Sequence, residues 1–166
     1  MDARISTAGI DDSNAILELS AVVQHSLQVS GSHQVFGPFE KTALDYAISQ
    51  GFCYVLKNGA DIIGYVKVMP MTMDYPHHLR VQDAGVRQPF WLLQSLMIDP
   101  CQQGNDLGLR FLHMLLDLDS LRNGTIVLDC WAGNQKLKNF YQRAGFKELG
   151  DEPEDDYFVT VFAKEI

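Results

Sequence analysis

The sequence predicts an α/β fold: one domain, residues 1–166, on a mixed central sheet with helices on both faces. Three observations predict it. Short runs of branched and aromatic residues, such as residues 52–56 and Thr125–Trp131, recur between segments of helical period. An apolar strand opening at Trp91 leads, through a polar glycine-bearing turn, into a strongly apolar helix from about Leu107. The 166 residues are 46 % hydrophobic and 20 % charged, which is enough chain to bury a core in a globular protein.

Taken in order, residues 4–8 read as a first strand. Asp11, Asp12 and Ser13 offer helix-start chemistry, with Ile16, Leu19, Val23 and Leu27 following at helical spacing. Residues 30–38 read as a loop, and Pro38 is expected to begin a second helix carrying Phe39, Leu44, Ala47 and Ile48 and closed near Gly51. Residues 52–56 and 62–69 are two strands joined around Lys57-Asn58-Gly59, a hairpin signal. Residues 70–89 show no convincing period, and a connection that long is usually functional or mobile. The central helix has an apolar stripe of Leu107, Phe111, Met114, Leu115 and Leu118. A second row, Leu109, Leu112 and Leu116, leaves only Arg110, His113 and Asp117 facing out, as on a helix packed against a sheet. After Asn123-Gly124 come a strand at 125–131 and a helix started by Asn134, with Leu137, Phe140, Tyr141 and Ala144 on one face and Gly145 at its end. Two last strands, 146–149 and 157–164, flank an acidic turn at 151–156. The order is β-α-α-β-β-β-α-β-α-β-β.

Charge and composition narrow the function. With 13 basic and 21 acidic residues the net charge is −8, so a nucleic-acid backbone is a poor partner, whereas a cationic molecule would be steered inward. Cys53, Cys101 and Cys130 have no metal-ligand spacing and read as buried, reduced thiols. The first residues lack a signal-peptide apolar run and no segment could span a bilayer, so a cytoplasmic protein without a membrane partner is expected. Oligomeric state is not readable, and a homodimer stays open.

Two motifs carry a resemblance. The first is Gln103-Gly104-Asn105-Asp106-Leu107-Gly108, a turn opening a helix, where free N–H groups and the helix dipole favour an anion. The second is Leu128-Asp129-Cys130-Trp131-Ala132-Gly133-Asn134 followed by Phe140-Tyr141-Gln142-Arg143-Ala144-Gly145-Phe146. Both, in this order, resemble the GNAT superfamily of acyl-CoA-dependent N-acetyltransferases over about the last 75 residues. The resemblance implies that Gln103, Gly104, Asn105, Asp106, Leu107 and Gly108 hold the pyrophosphate of acetyl-CoA. It likewise implies Leu96, Met97, Ile98, Asn134 and Tyr141 as further cofactor-binding positions. Asp106 departs from the family, standing where a glycine is usual. A carboxylate there repels a pyrophosphate, although aspartate tolerates left-handed backbone.

The resemblance makes Tyr141 the general acid that returns a proton to the departing thiolate, while its apolar helix face also fits a plain core residue. Asn134 could hold the pantetheine arm, cap its helix, or do both. Asp129 stands where some relatives carry a base; it would need its pKa of ~3.9 raised by burial, and a solvated strand aspartate is the other reading. Gln94 cannot act as a base. The acceptor, a small-molecule or peptide amine, would meet residues 24–39, residues 70–89 and the acidic turn. Asp151, Glu152, Glu154, Asp155 and Asp156 there either recognise a cation or form a solvated charge run. Phe36, Phe39, Tyr75 and Phe90 could line its pocket. His33, His77 and His78 read as solvent-exposed loop histidines rather than metal ligands, for want of a suitably spaced third ligand. No metal is expected. The expected function is N-acetylation of a primary amine by direct attack in a ternary complex. A catalytically lapsed CoA-binding module is the alternative.

Overall fold

The computed structural model describes residues 1–32 and 39–166; His33, Phe36 and the helix start expected at Pro38 lie outside the described residues. Seven strands form one mixed sheet in the order β1-β2-β3-β4-β5-β7-β6. They are β1 (Ala3–Thr7), β2 (Cys53–Asn58), β3 (Asp61–Pro70), β4 (Phe90–Ile98), β5 (Thr125–Trp131), β6 (Lys147–Glu154) and β7 (Tyr157–Glu165). The helices are α1 (Ser13–Val29), α2 (Lys41–Ser49), α3 (His78–Asp83), α4 (Leu107–Leu116) and α5 (Gln135–Arg143). β4 and β5 run parallel, while β1–β2, β2–β3, β5–β7 and β6–β7 are antiparallel. No described helix is long and apolar enough to cross a membrane.

The chain divides into two compact units, residues 1–68 with 94–115 and residues 69–93 with 116–166. In the first, Ile16, Leu19 and Val23 of α1 and Leu44, Ala47 and Ile48 of α2 bury their helical stripes with Cys53, Val55, Tyr65 and Met97. Among the described residues α2 starts at Lys41, where the Glu40 carboxylate accepts from the amides of Thr42 and Ala43. α4 buries Phe111, Leu112 and Leu115 completely and leaves Arg110 and His113 exposed, as its pattern requires. Gly64 of β3 allows the close approach: a Cβ there would stand 2.9 Å from Ile98 Cδ1 and 3.2 Å from Phe111 Cε1.

In the second unit Tyr75, Val81, Leu92, Val127 and Val161 form a smaller core. Two expectations are corrected. Residues 70–89, read as one long connection without a period, hold the end of β3 and the whole of α3, a helix too short to show a period. The acidic turn is mostly strand. β6 runs on to Glu154, paired with β7 through Asp151–Thr160, Glu152–Val159 and Glu154–Tyr157, so only Asp155 and Asp156 turn. Backbone pairing and the Thr160 hydroxyl, which donates to Asp151 Oδ1 at 2.6 Å, override the low strand propensity of those acids.

Candidate active site

The turn between β4 and α4 lies in the first unit. The Asp99 carboxylate accepts from the Cys101 amide at 2.9 Å and holds a single 3₁₀ turn, Pro100–Gln102. Gln103 Nε2 donates back to the Ile98 carbonyl at 3.2 Å, tying the turn to the strand end. Gly104 (φ 108°) and Asp106 (φ 52°) both take left-handed backbone, and residues 103–106 are exposed. Aspartate stands in for glycine there because its short polar side chain tolerates that region. Leu107, buried, anchors the helix start, and the Arg110 amide makes the first i→i−4 bond, to Asp106. The amides preceding it have no acceptor within the helix, the ordinary condition for holding an anion. Leu96 is half-buried, while Met97 and Ile98 are buried. Cys101 is exposed, against the expectation of three buried thiols; Cys53 and Cys130 are buried, and all three are free.

The second unit brings together residues that the sequence keeps apart. Asp129 is the one charged residue of β5 and is partly buried, so the solvated reading fails. Its Oδ2 accepts from the Tyr75 hydroxyl at 2.6 Å. His77 is 5 % exposed, which corrects its reading as an open loop histidine, and its Nε2 lies 2.8 Å from Glu154 Oε1. The Tyr157 hydroxyl donates to Glu154 Oε2 at 2.8 Å. The Tyr75 and His77 rings meet edge to face with centroids 5.4 Å apart. Arg80 binds Glu152 through Nε and donates to the Leu149 carbonyl. The acids of β6 are therefore largely partnered rather than a solvated run.

Burial raises the Asp129 carboxyl above its ordinary range and Glu154 adds to the rise, while the Tyr75 hydrogen bond and His77 oppose it. Burial likewise raises the Tyr75 phenol, with Asp129 beside it, and pushes the Cys130 thiol up to about 12. Tyr141 sits on α5 with its ring against Phe140, Phe146 and Phe162, at centroid distances of 5.2, 5.9 and 5.8 Å. Burial, then Cys130 and Asp129, raise its phenol, so it is held neutral and able to donate. Asn134 Oδ1 accepts from the Leu137 amide at 3.0 Å, so it does cap α5.

Tyr75, named from sequence only as an aromatic, and His77, Glu154 and Tyr157 complete a cluster that the spacing did not reveal. One signal was readable: a lone carboxylate in the otherwise apolar Thr125–Trp131.

Comparison with known proteins bears on both motifs. Residues 24–146 match the model of the acetyltransferase (GNAT) family. No curated protein sequence matches the chain. A GNAT-family acetyltransferase from Listeria monocytogenes superposes with a TM-score of 0.79 at 21 % identity, covering 99 % of this chain and 95 % of that one. The paia N-acetyltransferase from Thermoplasma acidophilum, solved in complex with coenzyme A, gives 0.70 at 14 % identity over 100 % of both. A Drosophila melanogaster polyamine N-acetyltransferase that forms N-acetylagmatine gives 0.69 at 16 % identity, over 99 % of this chain and 100 % of that one. At these identities the likeness is one of fold.

Proposed function

Because the chain belongs to the GNAT acetyltransferase family, we propose that it moves an acetyl group from acetyl-CoA to a positively charged primary amine, by direct attack in a ternary complex. The observation that carries this reading is the cluster around Asp129: a partly buried carboxylate that accepts from the Tyr75 hydroxyl, with the Glu154 carboxylate nearby. Such a place favours an ammonium ion and can then take its proton.

The exposed turn at 103–108 supports acetyl-CoA as donor, with the amides of Gly104, Asn105, Leu107 and Gly108 toward the pyrophosphate and Asp106 contributing backbone shape. Leu96, Met97 and Ile98 are kept as further cofactor-binding candidates, and Asn134 as a candidate for the pantetheine arm. In the reaction, Asp129 accepts a proton from the acceptor ammonium. The neutral nitrogen attacks the thioester carbonyl, the C–N bond forms and the C–S bond breaks. The thiolate takes its proton from the Tyr141 hydroxyl, and the second proton of the attacking nitrogen, released as the amide becomes neutral, restores that phenol. Burial suits both groups, raising the carboxyl toward a useful base and keeping the phenol protonated. Acceptors with a second cationic centre are favoured by Glu154 and by the overall charge of −8.

One observation favours a second reading, a CoA-binding module without turnover: the Asp106 carboxylate stands in the pyrophosphate turn. A panel of diamines, polyamines, basic peptides and neutral amines, run with acetyl-CoA while following thiol release, separates the two. Turnover greatest with the cationic acceptors is expected. An inert panel from a chain that still binds coenzyme A would establish the second reading.

A further inference from the structure

His77, Asp129 and Glu154 each offer one ligand atom, and the three atoms lie within 4.8 Å of one another. They come from the segment before α3, from β5 and from β6, so they converge through the fold and not through a local motif. Each carboxylate already has one oxygen fixed from outside: Asp129 Oδ2 by the Tyr75 hydroxyl and Glu154 Oε2 by that of Tyr157. Glu154 Oε1 is on His77 Nε2. The His77 ring also packs edge to face with the Tyr75 ring. Outer hydrogen bonds that orient ligating groups in this way are the supporting shell of a metal site.

We propose that His77, Asp129 and Glu154 form a binding site for a divalent transition-metal cation, held through His77 Nε2 and one oxygen of each carboxylate.

One imidazole and two carboxylates match the three-ligand sets of zinc and its first-row neighbours, which leave a further position for water. Calcium, which takes six to eight oxygens, is a poor match. Bonds of about 2.0–2.2 Å put ligand atoms about 3.4 Å apart, so those that now stand up to 4.8 Å apart close inward on binding. The cation replaces the proton shared by His77 and Glu154 and neutralises two carboxylates that repel one another. Its charge and place make it a competitor of the acceptor ammonium; this consequence rests on the function proposed above, whereas the site itself does not.

The probe is zinc, titrated calorimetrically into chelator-treated chain carrying Cys101→Ser, which removes the exposed thiol. One ion per chain and a raised melting temperature are expected. Glu154→Gln and His77→Gln should each weaken binding by more than tenfold, and Tyr157→Phe, which removes only an outer hydroxyl, by about tenfold. Glu154 is half-exposed, so its variant remains informative if His77→Gln does not fold. No binding, or binding unchanged in folded Glu154→Gln, overturns the site; the second result would place zinc elsewhere, as on exposed His25 or His113. Calcium binding as tightly as zinc would also overturn it. In the acetylation assay, zinc should compete with the amine and be reversed by chelator. One-to-one binding through Glu154 without inhibition upholds the metal site and overturns the placement of the acceptor at Asp129.

Discussion

The turn at 103–108 is six consecutive residues, exposed at 103–106, whose offering is backbone. The cluster around Asp129 takes Tyr75, His77, Glu154 and Tyr157 from segments up to 82 residues apart, and its offering is side chains. In the turn, shape is set by two left-handed residues and a tether from Gln103 to Ile98. In the cluster, it is set by strand register and by hydroxyls donated to carboxylates. A site made of amides tolerates a changed side chain and suffers from a changed φ. A site made of carboxylates and phenols should behave the opposite way.

The largest expected effect is at Tyr141. Tyr141→Phe keeps a ring that packs against three phenylalanines and removes only the hydroxyl, so kcat should fall by ~10²–10⁴ with coenzyme A affinity nearly unchanged. Activity within a few-fold of wild type would leave the residue a core aromatic and remove it from the proposed mechanism.

Next comes the pH dependence, followed with chelator present. If Asp129 is the base proposed above, its raised carboxyl takes up a proton, and activity falls, as pH drops through its folded value. The Tyr75 hydrogen bond opposes the rise, so Tyr75→Phe should move the acidic limb of the kcat profile to higher pH. Asp129→Asn should lower kcat most on that acidic side and recover as pH approaches the amine value near ~10.4. The stability sign is separate. A carboxyl raised on folding favours the folded chain while protonated, so that contribution is lost as pH climbs from the unfolded value through the folded one. A profile whose acidic limb ignores both substitutions would remove Asp129 as base.

The turn is sharpened by a pair of substitutions at one position. Asp106→Gly keeps φ 52° accessible and removes a negative charge, so coenzyme A should bind at least as tightly. Asp106→Val cannot hold that conformation comfortably and should weaken binding by about tenfold, the equivalent of the ~1–2 kcal/mol for left-handed backbone. Calorimetric titration reads both; equal affinities would mean that side chain and φ are irrelevant there. The smallest effect falls on Asn134. Loss of its bond to the Leu137 amide in Asn134→Ala should cost about 0.5–2 kcal/mol in denaturant unfolding. A raised KM for acetyl-CoA in the same variant would show that the cap also serves the cofactor.

Legibility follows the same division. The turn could be read in the sequence because its six residues are contiguous, and α4 because its stripe repeats every three to four residues. Asn134 as a cap and Gly145 (φ 89°) as a terminator were local signals and hold. His77 could not be read correctly, since its burial depends on Glu154, 77 residues away, and neither position carries a periodic pattern. The extent of β6 was hidden because Asp151, Glu152, Pro153 and Glu154 are poor strand formers by themselves. Their conformation is imposed by β7.

The strand order has a consequence for biosynthesis. β7 lies between β5 and β6, yet the ribosome makes both of those strands first. While the nascent chain lengthens at roughly 5–20 residues per second, β5 has no antiparallel neighbour and β6 has no partner. In the finished sheet β6 is an outer strand, and its acids, charged and poor at pairing, discourage another chain from adding there. Glu154, which stands beside Asp129, thus also belongs to the strand that keeps the sheet from growing into a second chain.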